Sequence, residues 1–164
     1  MNYQLMIEAN KLTNLGYEVG LANGKSLVDT FRPGVRPTVE FDSISIILSE
    51  LVCVDFDTHL HMDAGWDKEL PPTLKEKSPR GYHLFYQLPS HTLSSRETKV
   101  KWKKDIDLLT RGKTMRSRYG VTETASAHVL VSPSPGYKRM YPDVTPHHDD
   151  LPMAPAWLVE AIKP

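Results

Sequence analysis

One cysteine, Cys53, is all the thiol chemistry in this 164-residue chain. A lone thiol closes no internal disulfide and anchors no zinc knuckle, so neither staple is available to the fold. Its place inside an apolar run predicts a packing role. No stretch approaches the roughly 20 apolar residues of a membrane span. The N-terminus, Met1-Asn2-Tyr3-Gln4, lacks a basic segment followed by an apolar one. These absences predict a cytoplasmic protein with no membrane partner. A phosphate-cradling Gly-x-x-x-x-Gly-Lys-Ser/Thr is missing too, since Gly20 to Ser26 breaks the spacing, which argues against an ATP motor. Net charge is zero, with 20 basic and 20 acidic side chains. That balance argues against strong non-specific attraction to nucleic acid.

What the chain does contain is the run Leu51-Val52-Cys53-Val54-Asp55-Phe56-Asp57. It is long enough for one buried strand, and it delivers two carboxylates at its end, spaced i and i+2. Side chains two apart on a strand share a face. Carboxylates that close repel, which makes a divalent cation the natural third party. The plainer reading is a strand ending in a polar turn, with Asp57 and Thr58 capping the next segment.

The length suits a single domain, residues 1–164, and thirteen prolines suit a strand-and-loop protein better than a helical bundle. Helical spacing of Leu5, Met6, Ala9, Leu12 and Leu15 predicts a helix over Asn2 to Leu15, stopped by Gly16. A strand over Tyr17 to Leu21 comes next, closed by Asn23-Gly24. Lys25 to Thr38 reads as a loop. Ile44–Leu48 and Leu51–Phe56 read as a hairpin about Ser49-Glu50, and His59 to Lys77 as a short helix and a loop. Strands are expected at Tyr82–Leu88, Ile106–Leu109, His128–Val131 and, at an edge, Tyr137–Tyr141. A terminal helix is expected over Pro155–Ile162. The pattern predicts an α+β fold, a mixed and mainly antiparallel sheet flanked by helices.

Charge is segregated along the chain. Asp55 to Glu69 holds five acids and one lysine, whereas Arg96 to Arg118 holds nine basic residues against three acids. A charge run is commonly a solvated face. This one also carries Trp102 and Tyr119, aromatic rings of the kind that stack on bases.

Four segments, taken in order, resemble the bifunctional DNA primase/polymerase domain of the archaeo-eukaryotic primase superfamily, of the phage and plasmid replication type. They are Asp55-x-Asp57 at a strand end, Ser78-Pro79-Arg80-Gly81-Tyr82-His83 leading into the next strand, Asp105-Ile106-Asp107-Leu108-Leu109, and Val129-Leu130-Val131-Ser132-Pro133-Ser134 before Gly136-Tyr137. The tail Ala154-Pro155-Ala156-Trp157-Leu158 is similar to the family's closing Pro-x-Trp-Leu. Gly81 stands where the superfamily commonly writes the serine of Ser-x-His. The resemblance implies an RRM-like catalytic core and template-dependent nucleotidyl transfer, with DNA template and nucleoside triphosphates as partners. For a phage-encoded protein the compartment is the host cytoplasm.

Nucleotidyl transfer uses two cations about 4 Å apart. The resemblance implies that Asp55, Asp57 and Asp107 hold Mg2+ or Mn2+, with Asp105 as the alternate third carboxylate. Asp107 is preferred because it follows Ile106 and precedes Leu108-Leu109 as a strand residue should. Ser78, Arg80 and His83 are the expected nucleotide-binding residues, the guanidinium fork suiting phosphate oxygens. Lys101, Lys103, Lys104, Arg111, Arg116 and Arg118 are the expected nucleic-acid contacts. Family members that make primers carry a further helical domain, often with a helicase, so this chain is expected to extend a primer and to need such a partner on another chain for priming.

Two readings of other classes stand beside this one. His59, His61 and Asp63 mimic the His-x-His-x-Asp of zinc hydrolases, although Ala64 stands where a further histidine belongs. A non-catalytic accessory protein that binds nucleotide or nucleic acid on a primase-like fold is the other.

Overall fold

Leu5, Ala9 and Leu12 fall on the buried face of helix α1, Tyr3–Asn14. Asn2 caps it, its side-chain oxygen accepting from the Leu5 N–H at 3.3 Å. Gly16, at φ +90°, ends it as its position predicts. The computed structural model describes residues 2–58, 70–89, 95, 97–116 and 121–164, with only the backbone for 114–116 and 121–123.

Twelve strands come after α1 among the described residues. β1 (Val19–Asn23), β2 (Ser26–Thr30), β3 (Ser43–Ile47) and β11 (His128–Val131) form a four-stranded sheet in the order β11-β3-β1-β2. β4 (Leu51–Phe56), β5 (Lys75–Lys77), β6 (Tyr82–Gln87), β7 (Lys99–Lys103), β8 (Ile106–Leu109) and β12 (Lys138–Tyr141) form a six-stranded one, ordered β12-β5-β6-β4-β8-β7. β9 (Arg111–Arg116) and β10 (Val121–Ser126) make a separate two-stranded ribbon. Helix α2, Ala156–Ile162, comes last, after a single 3-10 turn at His148–Asp150. The ladders are antiparallel, with isolated parallel bridges at Gln87–Met153 and Ser95–Gly112. The α+β class is as the sequence predicts, while the strands divide into three sheets instead of one. No helix among the described residues is long and apolar enough to cross a membrane.

β3 and β4 are not a hairpin. β3 pairs with β1 and β11, and β4 with β6 and β8, so both edges of each strand are taken. Ser49-Glu50 instead carries the chain from one sheet to the other. This crossing explains why both segments read as unbroken apolar runs, for each is buried on both faces.

Alternate residues of β4 enter two cores. Leu51 and Cys53 join Phe85, α1 and the four-stranded sheet in one cluster. Val52, Val54 and Phe56 join Tyr86, Ile106 and Leu108 in the other, beneath Leu158 and Ile162 of α2. The buried Cys53 thiol packs, as expected. Fully burying a side chain such as Phe56 or Leu108 stabilises by roughly 1.5–3 kcal/mol. That margin is what allows the same strand to end in two carboxylates.

Candidate active site: a carboxylate cluster on the central strand

Asp55 has the odd parity of Leu51 and Cys53, so it projects on the face shared with the four-stranded sheet. Asp107 of β8 stands directly opposite it across one edge of β4, and His83 of β6 across the other. The register continues outward, pairing His83 with Glu76 of β5, Glu76 with Arg139 of β12, and Asp107 with Lys101 of β7. One residue from each strand thus forms a row of ionisable groups across the whole sheet: Arg139, Glu76, His83, Asp55, Asp107, Lys101. Directly paired side chains lie about 5 Å apart at Cβ, near enough to interact in sequence.

Asp57 lies just past the end of β4, its N–H held by the Asp105 carbonyl at 2.8 Å. Asp55, Asp57 and Asp107 each offer a carboxylate oxygen, and these atoms lie within 4.8 Å of one another. Asp105 is not in the cluster. It occupies the β7–β8 turn at φ +62°, a left-handed conformation that aspartate tolerates. Unit charges 4.8 Å apart repel by on the order of 1 to 3 kcal/mol between bulk water and a protein surface. Asp57 responds, its carboxyl being raised above the ordinary range by burial and by the charges of Asp55 and Asp107, against the opposing pull of Arg80 and Lys99. Three hard oxygen donors in this arrangement could hold a metal ion.

Basic side chains stand on both flanks. His83 Nε2 is 3.1 Å from Asp55 Oδ1, and Lys99 Nζ is 3.5 Å from Asp107 Oδ2. The turn before β6 is locked by two bonds, Ser78 N–H to the Gly81 carbonyl at 2.9 Å and Gly81 N–H to Ser78 Oγ at 3.1 Å. A Cβ on Gly81 would sit 1.7 Å from the Phe56 carbonyl oxygen, so only glycine lets this turn lie against the strand end that carries the acids. The Ser78 hydroxyl oxygen is occupied within the turn, while Arg80 is exposed beside the carboxylates.

The cleft above the cluster brings in three residues that the sequence pattern does not single out for this site: Lys25, His128 and Tyr137. Lys25 lies in the β1–β2 turn, and His128 opens β11, so both come from the opposing sheet. Burial lowers the pKa of His128, which favours the neutral ring. Tyr137 lies with its ring 6.0 Å from that of His83, its phenol held protonated by burial and by the charge of Asp55. The Asn23-Gly24 turn signal is visible for Lys25, but no local pattern says that a hairpin tip reaches a second sheet. Ser134, from the segment resembling the family's serine loop, uses its hydroxyl to bond both the N–H and the carbonyl of Ile44, at 2.9 and 3.0 Å. It fastens the loop and β11 to β3.

No family model, curated protein or solved structure matches the chain.

Of the basic residues, Lys101 and Lys103 alternate along the edge strand β7 and are exposed, as is Lys104 in the turn, while Arg111 is half-buried at the start of β9. The Arg116 side chain and all of Arg118 lie outside the described residues, as do Tyr119, His59, His61 and Asp63. Trp102 does not face the cluster. It takes the opposite parity and stacks on Trp157 of α2, with centroids 4.6 Å apart, because that face of β7 closes the second core.

Proposed function

We propose that the protein catalyses template-dependent nucleotidyl transfer, as a DNA primase/polymerase of the phage or plasmid replication type, with Mg2+ or Mn2+ at Asp55, Asp57 and Asp107. One observation carries this reading: a three-carboxylate cluster flanked on one side by Arg80, His83 and Lys25 and on the other by Lys99 and Lys101. Two phosphate-bearing reactants need such a division. Arg80 and His83, set close by the Ser78–Gly81 turn, suit the triphosphate of an incoming nucleotide, and Lys25 closes over it from the facing sheet. The lysines of β7 suit the backbone of the strand being extended, holding its terminal hydroxyl toward the acids. The cations would polarise the reacting phosphate and favour the attacking hydroxylate. The carboxylates fix the position of that charge, and the buried β4 scaffold fixes the position of the carboxylates.

Incorporation of labelled nucleotides by the purified chain, with and without a primer on the template, tests this directly. The expected result is extension of the primed template in manganese or magnesium, lost in Asp55→Ala. Binding of nucleotide or nucleic acid with no incorporation under either condition would favour the accessory-protein reading instead.

A further inference from the structure

Glu76 lies outside the site just described, yet its side chain is the direct cross-strand neighbour of His83 and shares its face. It is only 5% exposed. Its Oε1 accepts a long bond from the Ser132 N–H at 3.4 Å, and its Oε2 is buried with no hydrogen-bond partner among the described residues. The other face of the gap has the matching defect. His83 points Nε2 at Asp55, and its Nδ1 is buried without a partner as well. A buried polar atom left unpaired forfeits its hydration and gains nothing in return. Two such atoms on residues directly paired across adjacent strands, with side chains on the same face, mark one missing link more economically than two separate defects.

Arg139 does not supply that link. Though it follows Glu76 in the register, its guanidinium donates to Thr145 Oγ1 at 2.7 Å and to the Asp143 carbonyl at 3.0 Å, and it stands 3.9 Å from Glu8.

We propose that Glu76 is a positioning residue for His83, the carboxyl Oε2 and imidazole Nδ1 being the two ends of one buried hydrogen-bonded link, bridged by a single water, that holds Nε2 toward the cluster and the phosphates. A bridging water can donate to both acceptors when Glu76 is ionised, and can accept from the carboxyl while donating to Nδ1 when Glu76 is protonated. Burial, the first cause, raises the Glu76 carboxyl to about 7, so both forms are present near neutrality and the bridge persists in each. The arrangement obeys the general rule that a histidine working at one ring nitrogen is oriented through the other.

Its bearing on nucleotide binding rests on the function proposed above, but the link itself does not. Glu76→Met removes both hydrogen-bonding oxygens at similar volume, whereas Glu76→Gln keeps a donor and an acceptor. Nitrogen NMR of the His83 ring should show Nδ1 displaced in Glu76→Met and restored toward the native position in Glu76→Gln. The apparent constant for a nucleoside triphosphate should rise about 10–100-fold in Glu76→Met, with turnover at saturation nearly unchanged, and rise no further when the substitution is added to His83→Ala. Unchanged Nδ1 resonances in both variants would overturn the link. An undiminished effect of Glu76→Met in the His83→Ala background would overturn the positioning role. If the native chain binds no nucleotide, the proposed function fails, and the ring resonances together with an unfolding double-mutant cycle on Glu76 and His83 still decide the link.

Discussion

Asp57 is where the competing demands on single residues are clearest. Its carboxyl repels Asp55 and Asp107 and is partly desolvated, so it weakens the metal-free fold while serving as one third of the donor set. Asp57→Asn should therefore unfold at a higher temperature than the native chain without metal, and lose roughly 100-fold or more of any metal-dependent activity. Unaltered activity would remove Asp57 from the cluster. His83→Ala deletes one hydrogen bond to phosphate, expected to cost about 1.5–3 kcal/mol, or roughly 10–150-fold in the apparent nucleotide constant, with template binding unaffected. Glu76 has its own pH signature. Its folded carboxyl titrates at about 7 against an ordinary value of 4.5, so the unfolded chain loses this proton first as pH rises. The contribution to stability is complete below about 4.5 and is lost between there and about 7, on the order of 3 kcal/mol in all; burial is the main cause, moderated by the Ser132 N–H and by Arg139 and reinforced by Glu8. Denaturant midpoints should fall across that window, and Glu76→Gln should flatten the profile. At this scale the sequence is legible for Asp55 and Asp57, since i and i+2 on an apolar strand must share a face. Glu76 is not legible, because only strand register sets it beside His83.

Among the elements, the turn from Ser78 to Gly81 and the edge strand β7 carry the most specific consequences. Gly81→Ala places a Cβ inside contact distance of the Phe56 carbonyl, with backbone on both sides and nothing to yield. Overpacking of this kind costs about 3 kcal/mol or more, so the variant should be markedly less stable in urea. In β7, Lys101 and Lys103 are expected to track a phosphate backbone. Replacing both by alanine should reduce the salt dependence of single-strand binding by about 0.7 in slope for each phosphate released, or about 1.4 together. A slope that is flat already in the native chain would return these lysines to a solvated edge. Lys-Val-Lys-Trp-Lys does alternate, with Val100 buried and the lysines out, but its charge masks the strand period. β2 reads as loop in the sequence because its residues are mostly exposed, and β5 is only three residues long with lysines at both ends. The hairpin expected of β3 and β4 fails for a different reason. Two apolar runs with a short link fit a hairpin or a crossing equally well, and the choice lies in which edges other strands occupy.

Across the whole molecule, two sheets meet over a shared core, and the cluster lies where that interface opens to solvent. The six-stranded sheet supplies acids, His83 and the turn, and the four-stranded sheet supplies Lys25 and His128. The α+β class stems from strand periodicity and terminal helices, both readable in the chain. The division into sheets, and with it the far wall of the cleft, depends on pairing between strands far apart in the chain, such as β3 with β11. The central claim is that the three carboxylates hold a divalent cation against the phosphates of a nucleotide gripped by Arg80 and His83. Phosphorus NMR of a non-hydrolysable nucleoside triphosphate bound with Mn2+ measures that distance relationship directly. Strong paramagnetic relaxation of all three phosphates in the native chain, abolished in Asp55→Asn and weakened in His83→Ala, is the expected result. Triphosphate that binds the chain with its relaxation unchanged by Asp55→Asn would contradict it.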